Sequence, residues 1–114
     1  MLEVIDTLML PEKIKTKLRS DVQYILDSEI QDIMYIILFG SCARYEYKIT
    51  SDIDLLIITK EETDRYLRGT ICSELDALEG LRTDVVFYTK EQFDKADSVF
   101  SRQIKKDGVV LWKK

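Results

Sequence analysis

Two short stretches place residues that could do chemistry within reach of one another. Gly40-Ser41 closes one apolar run, and ten residues later Asp52-Ile53-Asp54 opens the next. Asp52 and Asp54 are two apart on a strand, so their side chains point to the same face. At roughly 4 to 5 Å and an effective dielectric near 20, two carboxylates repel by about 3 to 4 kcal/mol. Such a pair at the mouth of a buried strand calls for a cation, and oxygen-seeking Mg²⁺ is the natural one. A third carboxylate, Asp84, opens Val85-Val86-Phe87. If that strand lies beside the one begun by Ile53, Asp84 sits level with the other two. Three carboxylates at one sheet edge suit a two-metal phosphoryl or nucleotidyl transfer. Asp52 and Asp54 would bridge two Mg²⁺ ions, and Asp84 would hold the second ion and orient or deprotonate the attacking hydroxyl. Gly40 would let backbone approach a phosphate, with Ser41 and the amides after it as donors. Arg44 could add a fork of donors or simply sit solvated.

The composition narrows the chemistry further. The chain has no histidine, which removes Ser-His-Asp and Cys-His hydrolysis, His-ligated zinc and phosphohistidine relays. Its 21 acidic and 17 basic residues give a net charge of −4, against a surface that coats nucleic acid. Two cysteines, Cys42 and Cys72, are too few for a structural zinc site and fit a reducing compartment. Cys42 lies inside the motif without a base to activate it and reads as a small filler. No run approaches the roughly 20 apolar residues of a membrane span. Glu3 and Asp6 interrupt any signal-peptide pattern, so a cytoplasmic location is expected.

The elements that must position these residues follow from periodicity. Pro11 and Glu12 suit a helix start, and Ile14, Leu18, Val22, Ile25 and Leu26 recur at helical spacing, predicting a helix over 12–28. Lys and Arg are expected on its outer side. Ile33 to Phe39 and Ile53 to Thr59 read as buried strands, Thr83 to Tyr88 as a third and Val109 to Trp112 as a last. Ser41 could cap a short helix through Tyr45, with a polar loop over 46–51. Leu67, Ile71, Leu75 and Leu78 predict a helix over 61–78, and 91–106 a further helix broken near Asp97-Ser98. Tyr24, Tyr66 and Tyr88 read as core, while Tyr45 and Tyr47 could flank a nucleotide or partner. The lysines at 105, 106, 113 and 114 read as solvated. The expected architecture is one α/β (α+β) domain over 1–114, a mixed sheet of about four strands with flanking helices, covered mainly on one side.

Gly-Ser, ten residues and Asp-x-Asp coincide by chance in about one in a thousand chains of this length. These residues resemble the signature of polymerase-β-type nucleotidyltransferases. Ser41-x-Ala43-Arg44 and Ser51-Asp52-Ile53-Asp54-Leu55-Leu56 resemble its minimal branch, Asp84 falls at the family's third carboxylate, and Ile104-x-x-Asp107-Gly108-Val109-Val110-Leu111-Trp112 resembles how such domains end. The similarity runs from Ile33 onward. Tyr45 and Lys48 depart from it, standing where many relatives carry Gly and a small or Pro residue.

The resemblance implies the polymerase-β-type fold and Mg²⁺-dependent transfer of a nucleoside monophosphate from a triphosphate, ATP, to a hydroxyl. Proteins of the minimal branch are commonly antitoxins that adenylylate a tyrosine of a HEPN-type toxin encoded by a neighbouring gene. The short chain, ending just after Trp112, favours an acceptor held by another protein. Two rival readings stand beside it. One is an antitoxin module that neutralises by binding alone; the other is an enzyme modifying a small hydroxylated molecule such as an aminoglycoside.

Overall fold

A computed structural model describes residues 3–46 and 52–114, without the side chain of Glu3. The elements are α1 (Glu3–Thr7), α2 (Glu12–Asp27), β1 (Ile33–Phe39), α3 (Gly40–Ala43), β2 (Ile53–Thr59), α4 (Arg65–Ala77), a 3₁₀ turn (Leu78–Gly80), β3 (Thr83–Thr89), α5 (Lys90–Lys95), α6 (Val99–Asp107) and β4 (Val109–Lys113). The strands form one sheet in the order β3-β2-β1-β4. β1 runs antiparallel to both β2 and β4, and β2 runs parallel to β3, so the sheet is mixed.

Strand alternation gives each face its own cluster. Ile53, Leu55 and Ile57 of β2 face the larger one with Leu18, Val22 and Ile25 of α2 and Ile71 and Leu75 of α4. Leu56 and Ile58 face the smaller one, closed by Phe93 of α5 and Ile104 of α6. The two central strands are covered on both faces, which is why their sequences are continuous apolar runs rather than alternating ones.

Several helix boundaries differ from those the periodicity predicts. Pro11 is the residue before α2 rather than part of its first turn. α4 starts at Arg65, not near Glu61, because the Asp64 carboxylate accepts from the Tyr66 and Leu67 amides at 3.0 and 3.2 Å. The expected helix over 91–106 divides into α5 and α6, each opened by its own capping box, at Thr89 with Gln92 and at Ser98 with Ser101. α1 carries too little periodicity over five residues to be foreseen. Tyr66 is 86% exposed, contrary to its reading as core, since the helix turns it outward. Lys105 is not merely solvated: its Nζ donates to the Ala96 carbonyl at 3.1 Å and stands 5.0 Å over the Phe93 ring. Among the described residues, no helix is long and apolar enough to cross a membrane.

Candidate active site

β1 ends at Phe39, and Gly40 turns the chain with φ of +75°, the left-handed region that favours glycine. Space at this point is equally restrictive. A Cβ on Gly40 would overlap Asp54 Oδ2 and stand 3.1 Å from Asp54 Cγ. The close approach that Gly40 permits in this structure is therefore to a carboxylate. α3 follows over four residues, with Ser41 half-buried and Cys42 and Ala43 packed into the larger cluster.

Pairing places the carboxylates. Phe39 lies opposite Asp54 across β1 and β2, and Asp54 lies in register with Asp84 across the parallel pair β2 and β3. Alternation puts Asp54 on the face of Leu56 and Ile58, and Asp84 on the same face with Val86 and Tyr88. The mouth of this pair is fixed by Ile53 N donating to the Arg82 carbonyl at 3.1 Å. Asp52 precedes β2 and is half-buried, Asp54 is half-buried, and Asp84 is exposed.

Burial, then the charges of Asp84 and Asp52, push the Asp54 carboxyl up to about 6, while Arg44 pulls it the other way. Arg44 is exposed, and its Nε donates to Glu46 at 3.2 Å. Burial and the Asp54 charge push the Cys42 thiol up as well, against a hydrogen bond with Ser41, which supports the filler reading over a nucleophile. Both cysteines are free. One cation escaped the sequence reading: Arg82, exposed and paired with Asp76 at 3.2 Å. That pairing, followed by the charges of Asp52 and Asp84, raises its already high pKa. Its place two residues before Asp84 was the available signal. The loop candidates divide: Tyr45 is exposed with φ of +58°, and Tyr47, Lys48 and Ser51 lie outside the described residues.

Beside Gly40 opens a cavity of about 200 Å³, lined by Phe39, Arg44, Phe100, Gln103 and Asp107 among others. Phe100 meets Phe39 edge-on, with ring centroids 5.4 Å apart. A surface depression of about 640 Å³ on α4, around Tyr66 and Gly69, includes neither Gly40 nor a site carboxylate. Among the described residues, no group of three or more His, Cys, Asp or Glu side chains is drawn together as a metal cage. Mg²⁺ characteristically takes one or two carboxylates and leaves its remaining positions to water and substrate phosphates. The Asp54–Asp84 pair, with its mutual repulsion, is a donor set of that kind.

A mixed sheet that presents in-register carboxylates beside a Gly-Ser turn defines a nucleotidyltransferase scaffold. The family described as "Polymerase beta, Nucleotidyltransferase" matches residues 12–114, and the chain belongs to it. The Putative protein adenylyltransferase MJ0604 of Methanocaldococcus jannaschii is 35% identical over 81 residues, covering 70% of this chain and 79% of that protein. A toxin–antitoxin crystallised with AMP-PNP is 26% identical with a TM-score of 0.59, covering 90% of this chain and 73% of that one. The complex of a tri-AMPylated Shewanella oneidensis HEPN toxin with its MNT antitoxin is similar in fold. It has a TM-score of 0.53 at 23% identity, over 100% of this chain and 74% of that one.

Proposed function

We propose that this nucleotidyltransferase is the antitoxin of a toxin–antitoxin pair and transfers AMP from ATP to a tyrosine hydroxyl of a HEPN-type partner. The observation that carries the chemistry is the in-register pair Asp54 and Asp84 beside Gly40, in which Asp54 is charged against local repulsion. The choice of AMP and of a protein acceptor is supported by the relative named as a protein adenylyltransferase and by the toxin–antitoxin structure with AMP-PNP. The HEPN identity of the partner and its tyrosine come from the resemblance of the motif.

In this reading Asp52, Asp54 and Asp84 would hold Mg²⁺, which would supply positive charge to the triphosphate and to the charge that develops at phosphorus. Ser41 and the amides after Gly40 donate to phosphate oxygens, and Arg44 adds a charged donor. Asp84, the most exposed of the three, faces the acceptor. Its carboxylate takes the proton as the hydroxyl oxygen bonds to the α-phosphorus. The bond to the bridging oxygen breaks, and pyrophosphate leaves. Label from α-labelled ATP should appear on the co-purified partner only with Mg²⁺ and should vanish in Asp52→Asn. Transfer that survives that change refutes the proposal.

A second reading, neutralisation by binding alone, draws on the lack of a three-carboxylate cage among the described residues. It holds if the double change Asp52→Asn/Asp54→Asn neutralises the partner as well as wild type does.

A further inference from the structure

α2 contains a pair that its amphipathic stripe does not need. Lys17 and Asp21 are both 0% exposed, with Nζ and Oδ1 2.7 Å apart. Lys17 Nζ also donates to the Leu75 carbonyl near the end of α4. The second oxygen of Asp21 accepts from the Thr83 hydroxyl at 2.6 Å, and Thr83 is 2% exposed. Three elements thus meet at one ion pair, and the contact on β3 falls on its first residue, directly before Asp84.

A fully buried pair of this kind is a poor way to gain stability, because desolvating two charges offsets most of their attraction. Apolar side chains of the same volume commonly do as well. Burial does push the Asp21 carboxyl upward, despite its hydrogen bonds to Lys17 and Thr83. What the pair supplies is direction: charged groups hold partners at fixed distance and angle where apolar packing does not.

β3 is the strand that needs this. It lies at the edge of the sheet, and Thr83 is its only buried residue. Thr83 points to the face covered by α2 and α4 and Asp84 to the other, so fixing the Thr83 side chain fixes the height and rotation of the strand at Asp84. The backbone on the β2 side is held at the same level by Ile53 N and the Arg82 carbonyl.

We infer that Lys17 and Asp21 are positioning residues that set Asp84 against Asp54 by holding the Thr83 hydroxyl. The inference rests on the catalytic reading of Asp84, and its test separates the two. Thr83→Val replaces the hydroxyl with a methyl of similar size and so removes the hydrogen bond to Asp21. It should lower kcat for AMP transfer about 10- to 100-fold, with KM for ATP changed less than about twofold, since small misplacements of a reacting group act on rate. Thr83→Ser should restore most of it. By hydrogen exchange, the Ile53 amide should open about tenfold faster in Thr83→Val while Ile57, deeper in the same strand, keeps its protection. The double change Lys17→Met/Asp21→Leu keeps the core filled and serves should Thr83→Val fail to fold. It should melt at or near the wild-type temperature, yet show the same rate loss and the same opening at Ile53. Wild-type rate in either folded variant overturns the inference, as does an Ile53 amide that exchanges no faster than wild type or only in step with Ile57. If the wild-type protein transfers no AMP, the proposed function fails, and exchange at Ile53 still decides whether the network holds β3.

Discussion

Gly40 and Asp54 occupy the same small space: where any other residue would carry a Cβ, Gly40 admits the Asp54 carboxylate. Backbone conformation and contact both require glycine there, and the two demands can be separated by comparison with Gly80. That residue has φ of +70° and nothing within 4 Å of a built Cβ. Gly80→Ala should cost about 1 kcal/mol, the dihedral penalty alone. Gly40→Ala should cost about 2 to 3 kcal/mol and lower AMP transfer at least about 100-fold, because Asp54 must move. Urea denaturation of the two variants measures the difference; equal costs would show that the contact with Asp54 carries no energy.

The raised pKa of Asp54 makes its charge a liability to the fold. With a folded value of about 6 against 3.8 for the free group, the native state binds more protons than the unfolded one between those values. Asp54 therefore contributes a loss of stability as pH rises from about 4 to about 6, and the loss is complete above that. Asp54→Asn should abolish transfer while raising stability at pH 7.5 by about 1 to 2 kcal/mol, a figure reduced for its partial exposure. The gain should shrink at pH 4. Denaturant midpoints of wild type and variant at the two pH values test this, and an unstable Asp54→Asn at pH 7.5 contradicts it.

A cation that relieves this repulsion should stabilise the wild-type fold. Mg²⁺ at ten times its dissociation constant adds about 1.4 kcal/mol. The increase in melting temperature should be seen at pH 7.5, fade at pH 5 as Asp54 takes up a proton, disappear on adding EDTA and be absent from Asp54→Asn. An equal increase in that variant would place the cation elsewhere.

Cys42 should be dispensable for chemistry. It is 1% exposed, and its thiol is held above its usual pKa by burial and by Asp54. Cys42→Ala should keep the transfer rate within about threefold while costing about 1 kcal/mol for the vacated volume. Loss of transfer with the fold intact would revive the nucleophile reading.

The parts of this fold that were legible in the sequence are those decided locally. β1 and β2 run as continuous apolar stretches because both faces are covered, and their ends coincide with Gly40 and Asp52. The register of Asp84 with Asp54 was conditional on β3 lying beside β2, and the pairing meets that condition. The Lys17–Asp21–Thr83 contact was not legible. Lys17 looks like any solvent-facing lysine beside an apolar stripe, and what buries it is 58 residues away at Leu75. Likewise Asp64 falls inside the helix expected over 61–78 until its carboxylate is seen capping α4. The divergent loop after Tyr45 falls largely outside the described residues.

The joint between α5 and α6 has a consequence for how such a protein can change over time. α6 begins at its own capping box on Ser98 and is fastened at its far end, where Gly108 N bonds the Ile104 carbonyl and β4 pairs with β1. Phe100, Gln103 and Asp107 project from this one helix into the cavity beside Gly40, while Asp54 and Asp84 are set by β2 and β3. Substitutions along α6 can reshape the cavity without disturbing the register of the carboxylates. The α6 wall of the cavity and the register of the carboxylates are thus set by separate pieces of chain, so a substitution can alter the first without touching the second.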